Sequence, residues 1–296
     1  MLTRTLACLA LTAVVVGGVH GAQQPPNRAY ARPDQLVNTA WLAAHVTDAG
    51  VRVVDLRPSG YAQAHIPGAV HLDNAAIRDE KNAPTFVPSS RAFETLMDQL
   101  GISDATRVIA YDDRGGLYAA RLWWILTYFG HPNVALLDGG WTVWTKEGRA
   151  TTSAAPTVAA GSFTARPQAQ WIATAADVLA AIKNPGVKIV DARTPAEIEG
   201  RDLRGIKRGG AIPSSTAVYW EDALDPDLKT FKSADELARL YRDRGVLPEH
   251  DVIAYCQVGM RASHDLFVLS LLGYDHLRNY YGAWDEWGNR DDLPIR

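Results

Sequence analysis

Two stretches of this chain share one strand and differ at the residue that follows it. Residues 108–115 read Val-Ile-Ala-Tyr-Asp-Asp-Arg-Gly, and residues 252–259 read Val-Ile-Ala-Tyr-Cys-Gln-Val-Gly. The second copy has a thiol, Cys256, where the first has a carboxylate, Asp112. Cys256 follows an apolar run and precedes Gln257, Val258, Gly259, Met260 and Arg261. A helical pattern then begins, with Leu266, Leu269 and Leu272 on one face. Cys256 is therefore expected on a loop between the end of a buried strand and a helix N-terminus. Backbone N–H groups there lack an intrahelical partner and carry the positive end of the helix dipole. Gly259 permits the backbone angles that turn successive N–H groups inward as an anion nest, and Arg261 adds a fixed positive charge. Such surroundings favour a thiolate, the nucleophilic form of cysteine. A cysteine at the end of an apolar strand is more commonly a small core hydrophobe. The glycine and arginine that follow, and the Asp112 replacement, turn the balance toward a reactive group. A carboxylate is a poor substitute for a core thiol but is tolerable on a solvent-facing loop.

The elements that position this loop come in two copies. Val51–Arg57 (VRVVDLR) aligns with Val187–Arg193 (VKIVDAR), and Gly101–Tyr111 aligns with Gly245–Tyr255. Gly130, Trp141 and Trp144 align with Gly273, Trp284 and Trp287. The runs Val51–Leu56, Val108–Tyr111, Ile189–Asp191 and Val252–Tyr255 are apolar without alternation, as expected of strands covered on both faces of a parallel sheet. Amphipathic stretches such as Arg91–Leu100 and Ala234–Arg244 alternate with them, while Leu122–Phe129 is apolar nearly all round and predicts a buried helix. The fold class is α/β, with two tandem domains, each a mostly parallel sheet with helices on both faces. The boundaries fall at 30–150 and 171–296. Residues 151–170, poor in large apolar side chains and holding two prolines, read as the linker, with the alternative that part of them is a strand lying across a surface. Asp191 and Arg193 end the first strand of the second domain, on the same sheet edge as Cys256, and are candidates for contact with a substrate. Asp55 and Arg57 repeat them in the half without a cysteine, which favours a structural ion pair. Arg201, Arg204, Lys207 and Arg208 form a basic stretch that could steer an anion.

Met1–Ala22 has Arg4, an apolar run from Leu6 to Val19, and small residues at Gly21 and Ala22. This is the layout of a cleaved secretory signal peptide, with cleavage after Gly21, and it predicts a periplasmic or secreted protein. Cys8 would leave with the leader, so Cys256 would be the only cysteine of the mature chain and an internal disulfide is excluded. There is no CxxC, no His/Cys cluster at zinc spacing and no HExxH, so no metal site is expected. A formal charge of −3 gives no footprint for nucleic acid or an anionic membrane, and no second apolar run is of bilayer length.

Three segments carry a resemblance. Tyr61–Ala69 (YAQAHIPGA) is similar to the first signature of the rhodanese family, an aromatic residue followed by HIPGA. Tyr280–Trp287 (YYGAWDEW) is similar to its C-terminal signature, from which Tyr281 departs. Cys256–Arg261 looks like its six-residue active-site loop. The chain resembles a tandem-domain rhodanese of the thiosulfate or 3-mercaptopyruvate sulfurtransferase type over about residues 34–290, with a catalytic second half and a first half lacking the cysteine. The resemblance implies that the Cys256 thiolate takes the outer sulfur of a small anionic donor, sulfite leaves, and an acceptor such as cyanide or a thiol removes the sulfur from the resulting persulfide. It implies no metal or organic cofactor, a donor pocket made by Gln257, Val258, Gly259, Met260 and Arg261, and an active site near the domain interface, where Asp112, Arg114 or Tyr118 would line it. In the second half Ala211 replaces the histidine of HIPGA.

Mercaptopyruvate-type loops read Cys-Gly-[Ser/Ala]-Gly-Val-Thr, and many thiosulfate-type loops read Cys-Arg-Lys-Gly-Val-Thr. Gln257 and Val258 lack the basic pair of the latter, and Arg261 stands as its replacement. Thiosulfate is the favoured donor, with 3-mercaptopyruvate and polysulfide as alternatives. Related phosphatases use Cys-x5-Arg, and Cys256-x4-Arg261 is one residue shorter, which suits a sulfur better than a phosphate. A non-catalytic sulfur-carrier or binding module is the alternative of a different class, to be separated by whether Cys256 can be alkylated in the native protein.

Overall fold

The computed structural model describes residues 29–296, so the leader expected at 1–22 lies outside the described residues. The first half runs β1 (Leu36–Val37), α1 (Thr39–His45), β2 (Val51–Asp55), β3 (Val70–His71), α2 (Ser90–Gln99), β4 (Arg107–Tyr111), α3 (Leu117–Tyr128), β5 (Val134–Leu137) and α4 (Gly140–Lys146). The second runs β6 (Ile172–Ala173), α5 (Ala175–Ala181), β7 (Val187–Asp191), α6 (Pro195–Ile198), β8 (Thr216–Ala217), α7 (Ala234–Arg242), β9 (Asp251–Tyr255), α8 (Met260–Leu271), β10 (Leu277–Tyr280) and α9 (Ala283–Trp287). Each half builds one parallel five-stranded sheet, in the orders β1-β5-β4-β2-β3 and β6-β10-β9-β7-β8. The registers correspond, with Val53 beside Ile109 in one sheet and Ile189 beside Ile253 in the other.

Successive strand residues point to opposite faces, so an apolar run needs cover on both. Val53, Ile109 and Leu137 pack with Leu42 of α1 and Trp144 of α4 on one face of the first sheet. Val54, Val108, Ala110 and Leu136 meet α2 and α3 on the other. The second sheet repeats this, with Ile189, Ile253 and Tyr255 under α5 and α9, and Val190, Val252 and Ala254 under α7 and α8. Five helix starts are set by side-chain caps, including reciprocal capping boxes at Thr174–Asp177, Thr194–Glu197 and Ser233–Glu236, while α3, α4, α8 and α9 start at glycines.

The two inner faces share one core. Helices α3 and α8 pack against each other across the junction of the halves, with Trp123 edge-on to Phe267 at 5.3 Å. A helix walled on every side must be apolar all round, which accounts for the Leu122–Phe129 pattern. The linker is not a free tether. Thr152 bridges to His65, Gly161 N donates to Asp98 O at 2.8 Å, Phe163 is buried beside Phe93, and Gln168 N donates to Tyr128 O. Residues 151–168 thus lie strapped along the first half.

The duplication is broken at one point. From β4 to α3 the chain uses five residues, 112–116, whereas from β9 to α8 it uses four, 256–259.

Candidate active site

Cys256 leaves the end of β9 with its backbone held from two sides. Its carbonyl accepts from Trp284 N at 2.9 Å, and the Gln257 carbonyl accepts from Asp285 N at 3.0 Å, which ties the loop to α9. Gly259 caps α8 at φ +78°. A Cβ there would stand 2.2 Å from the Tyr281 ring, so neither the angle nor the space admits another residue. The Gly259 carbonyl accepts from Asn279 Nδ2 and Ser263 Oγ, both at 3.0 Å. Cys256 is 1% exposed and lies in a cleft of about 400 Å³. Gln257, Val258, Met260 and Arg261 line the same cleft, and Arg114, Leu117 and Tyr118 bring the first half into it. Gly259 serves the loop through its backbone angle and is not among the lining residues.

Arg261 is not a free cation. Its guanidinium donates to both oxygens of Glu197 at 2.6 and 2.8 Å, a bidentate pair in which the Glu197 side chain is 1% exposed. Thr194 N and Oγ1 donate to the same carboxylate at 3.1 and 2.9 Å. Burial alone would raise the Glu197 pKa, but the Arg261 bonds and charge and the Thr194 bonds outweigh it and hold the carboxyl at about 2. For Arg261, burial works against the charged form, while Glu197 and the neighbouring Cys256 raise its pKa above the ordinary arginine value. Glu197 went unnoticed in the sequence. The Thr-Pro-Ala-Glu cap after β7 was visible, but a capping box is satisfied locally and gives no sign of an arginine 64 residues away.

The equivalent loop of the first half corrects one expectation. Asp112 does not face solvent and is 1% exposed. One carboxylate oxygen accepts from the N–H groups of Arg114 (2.8 Å) and Gly116 (2.9 Å), and the other from those of Tyr118 (2.7 Å) and Ala119 (2.9 Å). Burial raises its pKa and these four bonds oppose the rise. The strand-to-helix loop of the first half is therefore an anion nest, which the chain fills with its own carboxylate.

A model of the rhodanese-like domain matches the chain twice, at residues 38–147 and 174–290. The chain belongs to the rhodanese family. This rhodanese is 37% identical to the sulfur carrier protein TtuD of Thermus thermophilus, over 90% of this chain and 98% of that one. It is 36% identical to a thiosulfate sulfurtransferase of Corynebacterium glutamicum, over 92% of this chain and 93% of that one. Among solved structures it resembles SseA of Escherichia coli, described as a 3-mercaptopyruvate sulfotransferase, with a TM-score of 0.76 and 28% identity over 84% of this chain and 98% of that one. It is a tandem-domain sulfurtransferase.

Within this rhodanese, Asp191 and Arg193 do not reach the cleft, and their candidacy as substrate contacts is corrected. Arg193 donates to Asp191 at 2.7 and 2.9 Å and to Gly210 O at 2.8 Å, and Tyr255 donates its hydroxyl to Asp191. The Arg193 guanidinium lies over Trp284 at 4.1 Å. Asp55, Arg57, Tyr111 and Trp141 repeat the assembly, with the guanidinium 3.9 Å from the tryptophan ring. A polar cluster built alike in both halves holds the strand ends in place and has no part specific to the cysteine. His65 of HIPGA is likewise structural. Its ring nitrogens face the carbonyls of Tyr61 and Ala154, and Ala211 at its counterpart pairs by backbone with Arg296. The departure at Tyr281 has a role of its own. This buried ring sits against Gly259, its hydroxyl accepts from Arg121 Nε at 2.6 Å, and Arg78 donates to its carbonyl at 2.6 Å. Two arginines of the first half thus anchor the ring that shapes the catalytic loop.

Of the basic stretch, only Arg204 lines the cleft. Arg201 pairs with Glu199, Lys207 pairs with Asp291, and Arg208 donates to the carbonyls of Gly288, Trp287 and Leu293. Among the described residues no cluster of three or more His, Cys, Asp or Glu comes together as a metal site.

Proposed function

We propose that this enzyme moves sulfane sulfur from thiosulfate to a thiophilic acceptor, cyanide or a thiol, through a persulfide on Cys256. The Cys256 thiolate attacks the outer sulfur of thiosulfate. The new Sγ–S bond forms as the S–S bond of the donor breaks, and its electron pair leaves with sulfite. The outer persulfide sulfur keeps one negative charge. In the second step the acceptor attacks that sulfur and the Cys256 thiolate returns, with thiocyanate as the product when cyanide is used. Both steps place an anion in the loop, and donors fixed before the reaction stabilise such charge without reorganising.

The observation that supports this reading is the Asp112 nest. The twin of the Cys256 loop holds a buried carboxyl group with four N–H groups, and a persulfide is the group to be held in the second half. The similarity to a thiosulfate sulfurtransferase supports the donor. The similarity to a protein named a sulfur carrier favours a thiol of another protein as a second acceptor class. We also propose, from the residue 1–22 pattern, that the mature protein works outside the cytoplasm, which N-terminal sequencing of the protein from cell fractions tests.

Intact mass decides the mechanism. Thiosulfate is expected to add one sulfur atom to the wild type, cyanide to remove it as thiocyanate, and C256S to gain none while keeping its circular dichroism. Transfer by folded C256S would refute the persulfide. No gain from thiosulfate, with gain from mercaptopyruvate or polysulfide, would reassign the donor.

A further inference from the structure

The committed state of Arg261 leaves an electrostatic question in the cleft. A thiolate meeting thiosulfate brings together three negative charges. Arg261 and Glu197 cancel each other in their bidentate pair, and Glu221, also in the cleft wall, adds a negative charge. Two cationic side chains of the lining remain. Arg204 is half exposed and 3.9 Å from the already occupied Glu197. Arg114 comes from the first half, is exposed, and its guanidinium makes no hydrogen bond or ion pair among the described residues. Its backbone, in contrast, is fixed, because Arg114 N donates to the buried Asp112 carboxylate at 2.8 Å. The nest of the first half therefore presents an uncommitted guanidinium to the cleft of the second.

We infer that Arg114 is a specificity-determining residue of the sulfurtransferase, selecting doubly charged inorganic donors of the thiosulfate class by holding the oxyanion end that leaves as sulfite. Arg204 serves the same end of the donor from the second half. A guanidinium matches the paired oxygens of a sulfonate geometrically as well as in charge. The first half thereby takes part in donor choice without a cysteine of its own. This inference rests on the persulfide reading given above.

The test compares two donors with the same S–S bond. Thiosulfate carries two charges, and methanethiosulfonate, with a methyl group in place of one oxygen, carries one. Sulfur loading of Cys256 is measured for the full-length mature protein, R114Q and R114K. R114Q is expected to lose about tenfold in kcat/KM for thiosulfate and less than about threefold for methanethiosulfonate. R114K is expected to recover part of the loss. An R114Q that keeps the wild-type donor ratio, whether both rates fall together or neither falls, overturns the inference and leaves the persulfide intact. A wild type that takes no sulfur from thiosulfate overturns the donor assignment itself, and the inference with it. Arg114 is exposed, so loss of fold does not obscure the result.

Discussion

Replacing Glu197 by glutamine tests how much of the active-site loop depends on the ion pair behind it. Glutamine keeps the shape of the side chain and an acceptor for Thr194, but removes the charge that Arg261 grips at 2.6 and 2.8 Å. In the wild type this carboxyl is held at about 2, against an ordinary value near 4.5. That difference corresponds to about 3 kcal/mol of stability at neutral pH. With its side chain 1% exposed, the pair has little solvent to screen it. Breaking one side of a buried pair typically costs ~3–5 kcal/mol, a range that contains the same figure. The sign with pH follows from the depressed value. The contribution is complete above about pH 4.5, and it is lost as the pH falls toward 2. Urea unfolding of both proteins from pH 7 to pH 3 should show a gap of about 3 kcal/mol at neutrality that shrinks to roughly half at pH 3. Sulfur loading of Cys256 should slow with it, because Arg261 is no longer fixed beside the sulfur. A gap below about 1 kcal/mol at pH 7, or one that stays constant in acid, would refute the reasoning, since either means that the pair does not hold the loop.

Two further outcomes are expected. D112A leaves four N–H groups, those of Gly116 and Ala119 buried, without their acceptor and should cost on the order of 3 kcal/mol, with D112N intermediate; an unchanged melting temperature would show that the nest is not a structural anchor. His264, fully buried with Nε2 3.0 Å from Gly115 O, has its pKa lowered by burial to about 4 from 6.5, so it folds neutral. Its contribution is present above pH 6.5 and is lost as the pH falls toward 4, which amounts to about 2 kcal/mol between pH 7 and pH 5; urea midpoints that do not move over that interval would refute it.

Much of the fold was legible because its signals are local. Val108–Tyr111 and Val252–Tyr255 are short, apolar and without alternation, and both lie in the middle of parallel sheets. The helix after Cys256 followed from its spacing, and the glycine before it has the left-handed angle that the turn requires. The linker was legible as a boundary, and part of it as a segment lying across a surface, but its partners were not, because most of its hold is backbone bonding, helped by the side chains of Val158, Phe163 and Ala165 on the core and by the Arg166–Asp104 pair. What failed was long-range. Position 112 suggested an exposed loop because a carboxylate is costly to bury, yet four N–H groups converge on it, and no sequence pattern marks convergent backbone. Asp191 and Arg193 end a strand at the correct edge of the sheet, but their side chains turn inward to Tyr255 and Trp284. Glu197 and Tyr281 act through partners 64 and 160 residues away, a separation at which spacing carries no information.

The extra residue between β4 and α3 bears on how the two halves can change over time. A cysteine placed at position 112 would stand in a five-residue turn whose donors are spread over two carboxylate oxygens, while the turn that carries Cys256 has four residues. Reviving the first half takes a substitution and a deletion together. Substitution alone leaves a thiol in a nest of the wrong width, and deletion alone strips donors from a buried carboxylate. Neither intermediate is favoured, so the divergence behaves as a ratchet that keeps one half reactive and frees the other to vary the residues it lends to its twin.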